Sequence, residues 1–177
     1  MGPCWPLARF RNDPQTPIWS QKVGVYETKG VLQMLAIILS AATLLPASDT
    51  YSLDQVLEAV RQVETGSLPD QGRGARGDGG LALGPWQIHR AFFIDAAERD
   101  KSLNIYSRCL GELDYSRRVV KAYWRRYSRA AYDRLAAGCG SLSDAEAVSR
   151  IHNGGPRGGK KAATRAYWQK VRRLLSI

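Results

Sequence analysis

Two carboxylates separated by a glycine-dense loop are the residues from which chemistry can be built. Glu64 closes an amphipathic helical pattern, and Asp78 lies in residues 72–80, where five of the nine positions are glycine. The pattern starts at Ser52-Leu-Asp-Gln55, which reads as a capping box, and continues through Leu53, Val56, Leu57, Val60 and Val63. Gly66 is the expected C-terminal stop. Glu64 therefore falls in the last helical turn, where unpaired carbonyls carry partial negative charge. That field disfavours a carboxylate and holds its proton, as a general acid requires. Asp78, with Arg73 and Arg76 nearby, sits in a polar loop that suits the anion. A proton donor and an anionic carboxylate together are what cleavage of a glycosidic bond uses. The same two residues also fit a surface Glu and a turn Asp, because spacing in sequence does not fix their separation.

The elements that must hold these groups are mostly helices. Five glycines in nine residues exclude a stable helix or a central strand, so the loop is expected to be a tight hairpin or irregular. No Gly-Lys-Ser/Thr follows the glycines, which excludes a phosphate-cradling loop of that kind. Helical patterns follow at residues 91–99 and 114–127, the second with Val119, Val120, Tyr123, Trp124 and Tyr127 on one side. Residues 128–137 continue that helix or begin another, ended by Gly138. Ser143-Asp-Ala-Glu146 reads as a second capping box, opening a helix through Ile151 that Asn153-Gly154-Gly155-Pro156 stops. Residues 163–175 form the last helix, with Tyr167, Val171, Leu174 and Leu175 as its apolar stripe. The fold class is therefore mainly α, a compact multi-helix domain with at most one small β-hairpin.

Composition narrows the setting. The chain has 177 residues, 44% of them apolar, enough for one domain plus a tail. Its formal charge of +10 favours polyanionic surroundings without choosing among them, and no nucleic-acid motif accompanies it. Residues 31–45 are a mostly apolar run preceded by Lys29 and followed by Pro46-Ala47-Ser48. This is the pattern of a secretory signal peptide, and 15 residues is short of the roughly 20 that span a membrane. Residues 1–48 are accordingly expected to be a leader, or an N-terminal anchor if it is not cleaved, and 49–177 the functional domain. Loss of the leader removes four basic and two acidic residues and leaves about +8. With no Cys-x-x-Cys and two histidines, neither a metal site nor a cofactor is expected. Cys109 and Cys139 either pair in an exported protein or stay as free thiols.

Several short motifs occur in one order: Glu64-Thr-Gly, Asp78 six residues before Gly84-Pro-Trp-Gln-Ile, Phe92-Phe-Ile-Asp95, Lys121-Ala-Tyr-Trp-Arg-Arg-Tyr127, Arg150-Ile-His-Asn-Gly-Gly-Pro156 and Tyr167-Trp168. Together, over residues 53–172, they resemble the invertebrate-type (destabilase-like) lysozymes. The resemblance implies a lysozyme-like α+β fold with a two-lobed cleft. It implies a muramidase that hydrolyses the β-1,4 bond between N-acetylmuramic acid and N-acetylglucosamine in peptidoglycan, a bacteriolytic and secreted or periplasmic activity. Glu64 matches the proton donor and Asp78 the nucleophile or stabiliser. Trp86, Gln87, His89, Arg90, Phe92, Asp95, Tyr123, His152, Asn153 and Gly154 match positions along the sugar-binding cleft. Read from spacing, Trp86 divides between sugar stacking and core, whereas Trp124 and Trp168 read as core. The implied partners are peptidoglycan glycan strands and a proteinaceous inhibitor, with a membrane only if the leader is retained. The chain departs from the family at Leu83, Ala96 and Gly159, where cysteines are usual, and in a longer loop, which makes Asp70 the fallback for Asp78. Two other functions fit the same residues: a lytic transglycosylase using Glu64 alone, and a non-catalytic wall- or polyanion-binding protein.

Overall fold

The computed structural model describes residues 50–66 and 68–175; the expected leader lies outside them. Six α-helices and one three-stranded sheet make up the described part. Helix α1, Leu53–Thr65, begins as its sequence requires. Ser52 Oγ accepts from Gln55 N at 3.3 Å, and Gln55 Oε1 accepts from Ser52 N at 2.8 Å. Val56, Leu57 and Val60 bury one face, and Gly66 stops the helix at φ +57°. Thr65 fixes its end, because Thr65 Oγ1 donates to Pro85 O at 3.2 Å, across 20 residues.

The glycine-rich segment folds into strands β1 (Arg76–Gly77), β2 (Ala82–Leu83) and β3 (Ile88–His89). These are two linked antiparallel hairpins rather than the single one expected, because Gly84 supplies a second turn at φ +70°. The register aligns Gly77, Ala82 and His89 across the sheet. The residue after Gly77 is therefore carried to the side of His89. Helix α2, Arg90–Arg99, starts directly from β3.

Helix α3, Leu113–Tyr127, buries Val119, Val120, Tyr123 and Trp124, the face its pattern predicts. Ser128, at φ −145° and ψ +54°, breaks the chain before α4, Arg129–Ala136. Helix α5, Leu142–Gly154, is capped by Ser141 with Asp144, not by Ser143 with Glu146. Both spacings fit a capping box; Arg134 decides between them by donating Nε to Asp144 Oδ2 at 2.9 Å. Arg134 also holds the Asp144 carboxyl down to about 2. Helix α6, Thr164–Leu175, closes the domain against α1 and α5. Trp168 is 4% exposed and Trp124 fully buried, as expected of core residues. Cys109 and Cys139 are both free thiols, and burial pushes the Cys109 thiol up to about 12. The apolar core thus holds the described domain together without a disulfide.

Candidate active site

The C-terminal end of α1, the sheet, the start of α2 and the end of α5 enclose a cleft of about 410 Å³. Glu64, Asp78, Gln87, His89, Phe92, His152 and Asn153 line it, with Ala82 at the back. Glu64 is carried there by α1, and its side chain is only 19% exposed. Burial raises the Glu64 carboxyl above the usual range; Tyr167 and the charges of His89 and Lys170 oppose the rise, while Asp78 adds to it. Withdrawal from water is the largest of these causes. Tyr167 Oη donates to Glu64 Oε1 at 2.8 Å, which leaves Oε2 to carry the proton.

His152 stands behind Glu64, with Nε2 3.6 Å from Oε1. Nε2 lies 3.1 Å from the Trp86 carbonyl, which can only accept, so Nε2 carries the hydrogen. Burial holds the imidazole down to about 4, and the contact with Glu64 at neutral pH is not an ion pair. The ring is fixed edge-on by Phe92 at 5.3 Å and by Trp124 at 5.9 Å between centroids. A histidine depressed from 6.5 to about 4 contributes stability that is complete above pH 6.5 and lost as pH falls towards 4. The contribution is on the order of 3 kcal/mol. Glu64, shifted upward, works in the opposite sense. The melting temperature of His152→Gln should therefore rise relative to that of the wild type as pH falls from 6.5 to 4, and paired thermal melts measure the difference.

Asp78 follows β1 with φ +47° and a side chain 69% exposed. The sheet register brings it to His89, whose Nε2 donates to Asp78 Oδ2 at 2.9 Å. Gln87 also takes positive φ, +47°, and its side chain packs over Gly77, where a Cβ would come within 2.0 Å of Oε1. Glycine at 77 is what lets Gln87 reach the cleft.

Other sequence-derived positions fall elsewhere. Trp86 is a core residue, 1% exposed, with Nε1 donating to Leu57 O at 2.9 Å; its indole cannot meet a ligand in the cleft. Tyr123 is 2% exposed and lies beneath Phe92, stacked at 3.6 Å and 13°. Arg90 is exposed and leans on Tyr106 at 5.8 Å. Asp95 is engaged by Arg126, whose Nη1 donates to its backbone carbonyl at 2.7 Å. Gly154 ends α5, and its carbonyl accepts from Lys161 Nζ at 2.6 Å, beside a separate depression. Asp70 is exposed in the Pro69–Gly72 turn and does not line the cleft. Tyr167 is the contact that sequence reasoning missed: its place in the stripe of α6 marks it as core, and 103 residues separate it from Glu64.

The destabilase family model matches residues 55–174. Invertebrate-type lysozyme 6 of Caenorhabditis elegans is 31% identical over 131 residues, covering 71% of this chain and 88% of that protein. Lysozyme 1 of Crassostrea virginica is 34% identical over 118 residues, and the match spans 66% of this chain and 56% of that longer protein. Among solved structures, Meretrix lusoria lysozyme in complex with Aeromonas hydrophila PliI superposes with a TM-score of 0.52 at 26% identity, over 71% of this chain and 92% of that one. A buried glutamic acid and an exposed aspartate in one cleft, on a fold shared with these enzymes, lead to one conclusion: the chain belongs to the destabilase family, the invertebrate-type lysozymes, and is a glycoside hydrolase of the muramidase type.

Proposed function

We propose that Glu64 is the proton donor and Asp78 the nucleophile or electrostatic stabiliser with which this enzyme cleaves the β-1,4 bond of peptidoglycan. The carrying observation is that a buried, upward-shifted Glu64 and a solvent-facing Asp78 line the same cleft. Glu64 Oε2 gives its proton to the glycosidic oxygen as the bond to the anomeric carbon breaks. Asp78 answers the positive charge that develops on that carbon, oriented by His89 through Oδ2 and free to act through Oδ1. Water then attacks, and Glu64 recovers a proton as it acts as the base. Gln87, Phe92 and Asn153 bound the space in which the sugars lie.

Asp78→Asn should lower the rate of peptidoglycan clearing on the order of 10²–10³-fold. The soluble fragments should end in reducing N-acetylmuramic acid. Turbidity decay and mass spectrometry of the fragments test both statements. Anhydro ends would assign a transglycosylase that uses Glu64 alone, and an unchanged rate would remove Asp78 from the mechanism.

Residues 31–45 and the small residues after them support export, which brings the enzyme to its polymer. The inhibitor complex formed by the Meretrix lusoria lysozyme supports a proteinaceous inhibitor as a partner here too.

A further inference from the structure

A second depression, also of about 410 Å³, lies at the opposite end of α2 from the cleft. Ten residues of helix put the two about 15 Å apart along the axis. Arg99 and Lys101 reach it from the end of α2; Arg118, Lys121 and Arg125 come from α3. The α3 residues, with Ala122, are spaced i, i+3, i+4 and i+7, so one helix face carries three cations around a methyl group. Like charges at such spacings repel one another, and an anion lying among them relieves that repulsion.

The acidic groups nearby are already committed. Asp100 Oδ1 accepts from Ser102 N at 3.0 Å, and its Oδ2 lies 3.3 Å from Arg118 Nη2. Asp54 Oδ1 pairs with Lys121 Nζ at 3.2 Å. Five cations against two carboxylates leave three positive charges, and Arg99, Lys101 and Arg125 have no carboxylate partner among the described residues. Arg118 is held in place by Asp100 and Ser102, and Tyr132 of α4 forms part of the wall.

We propose that this depression is a binding site for a linear phosphodiester polymer, such as a polyol-phosphate chain. The α3 stripe runs about 10 Å from Arg118 to Arg125, longer than one phosphate, and small Ala122 leaves room for a chain to lie along it. Guanidinium forks match the two free oxygens of a phosphodiester, which stays charged throughout the folding range. The site is separate from the catalytic cleft, and its assignment does not depend on the roles of Glu64 and Asp78.

Fluorescence anisotropy of the full chain with labelled poly(glycerol phosphate) tests this. Replacing Arg99, Lys101 and Arg125 together by serine should weaken binding about tenfold or more at low salt. The matched triple Arg157→Ser, Lys160→Ser and Lys161→Ser removes equal charge elsewhere and should change it less than about threefold. Equal losses in the two triples would overturn the proposal, because net charge alone would then explain binding. It would also be overturned if a polyuronate bound as tightly, or if anionic phospholipid vesicles bound and the soluble polymer did not. The first triple should hydrolyse phosphate-free peptidoglycan at the wild-type rate, so a failure of the hydrolytic mechanism would be recognised separately.

Discussion

Exchanging Glu64 for Gln is expected to lower muramidase turnover by roughly 10²–10⁴-fold, the range over which a positioned general acid acts. The amide keeps the volume and still accepts from Tyr167 Oη, now 2.8 Å from Glu64 Oε1, but it has no proton to give to the leaving oxygen. Glycan binding should survive, so the loss should appear in kcat rather than in KM. Stability should move the other way. Because burial raises the carboxyl above its ordinary value of 4.5, the folded protein holds a proton that the unfolded chain releases, and stability declines as pH rises through that window. Gln removes the titration, so the variant should melt higher than the wild type at neutral pH. For the same reason the alkaline limb of the wild-type kcat/KM profile should lie above the ordinary glutamate range. A Glu64→Gln protein that clears peptidoglycan at the wild-type rate would refute the assigned acid.

The second large effect concerns folding. Gly84→Ala should destabilise the domain by about 3–5 kcal/mol, a large share of a typical total of about 5–15. An added Cβ would fall 1.8 Å from the Cys109 carbonyl oxygen and 3.3 Å from that of Leu110, and Gly84 has φ +70°. Neither neighbour is free to retreat. Cys109 O accepts from Ser116 Oγ at 2.9 Å, and Leu110 O accepts from Gly74 N at 2.7 Å. Gly84 itself is committed on both sides, donating to Ala75 O at 2.8 Å and accepting from Gln87 N at 3.0 Å. Gly79→Ala is the comparison, with φ +65° but nothing within 4 Å of the new methyl; it should cost about 1 kcal/mol for conformation alone. Urea unfolding of the two variants separates steric exclusion from backbone strain. Comparable losses in both would mean that the loop is not wedged against Cys109.

Local signals carried much of this organisation in the sequence. Ser52 and Gln55 announced the start of α1, and the apolar spacing that followed set Glu64 near its end. The glycine run excluded a helix around Asp78 but left hairpin and irregular loop equally open, and the α3 face was legible from Val119 to Trp124. What stayed hidden depended on partners distant in the chain. Ser141 and Ser143 compete for one helix start with equal local merit, and Arg134 on another helix chooses between them. Trp86 has the composition of a sugar platform, but Leu57 O claims its indole from 29 residues away. Tyr167 meets Glu64 only because α6 packs against α1. The order of motifs named the family, while burial and the far end of the chain determine the protonation of its acid.

The unlinked Cys109 and Cys139 bear on how the domain responds to reductant. Its described fold contains no disulfide, so a thiol reagent removes no bond on which the packing relies. Melting curves recorded with and without a thiol reductant should therefore coincide.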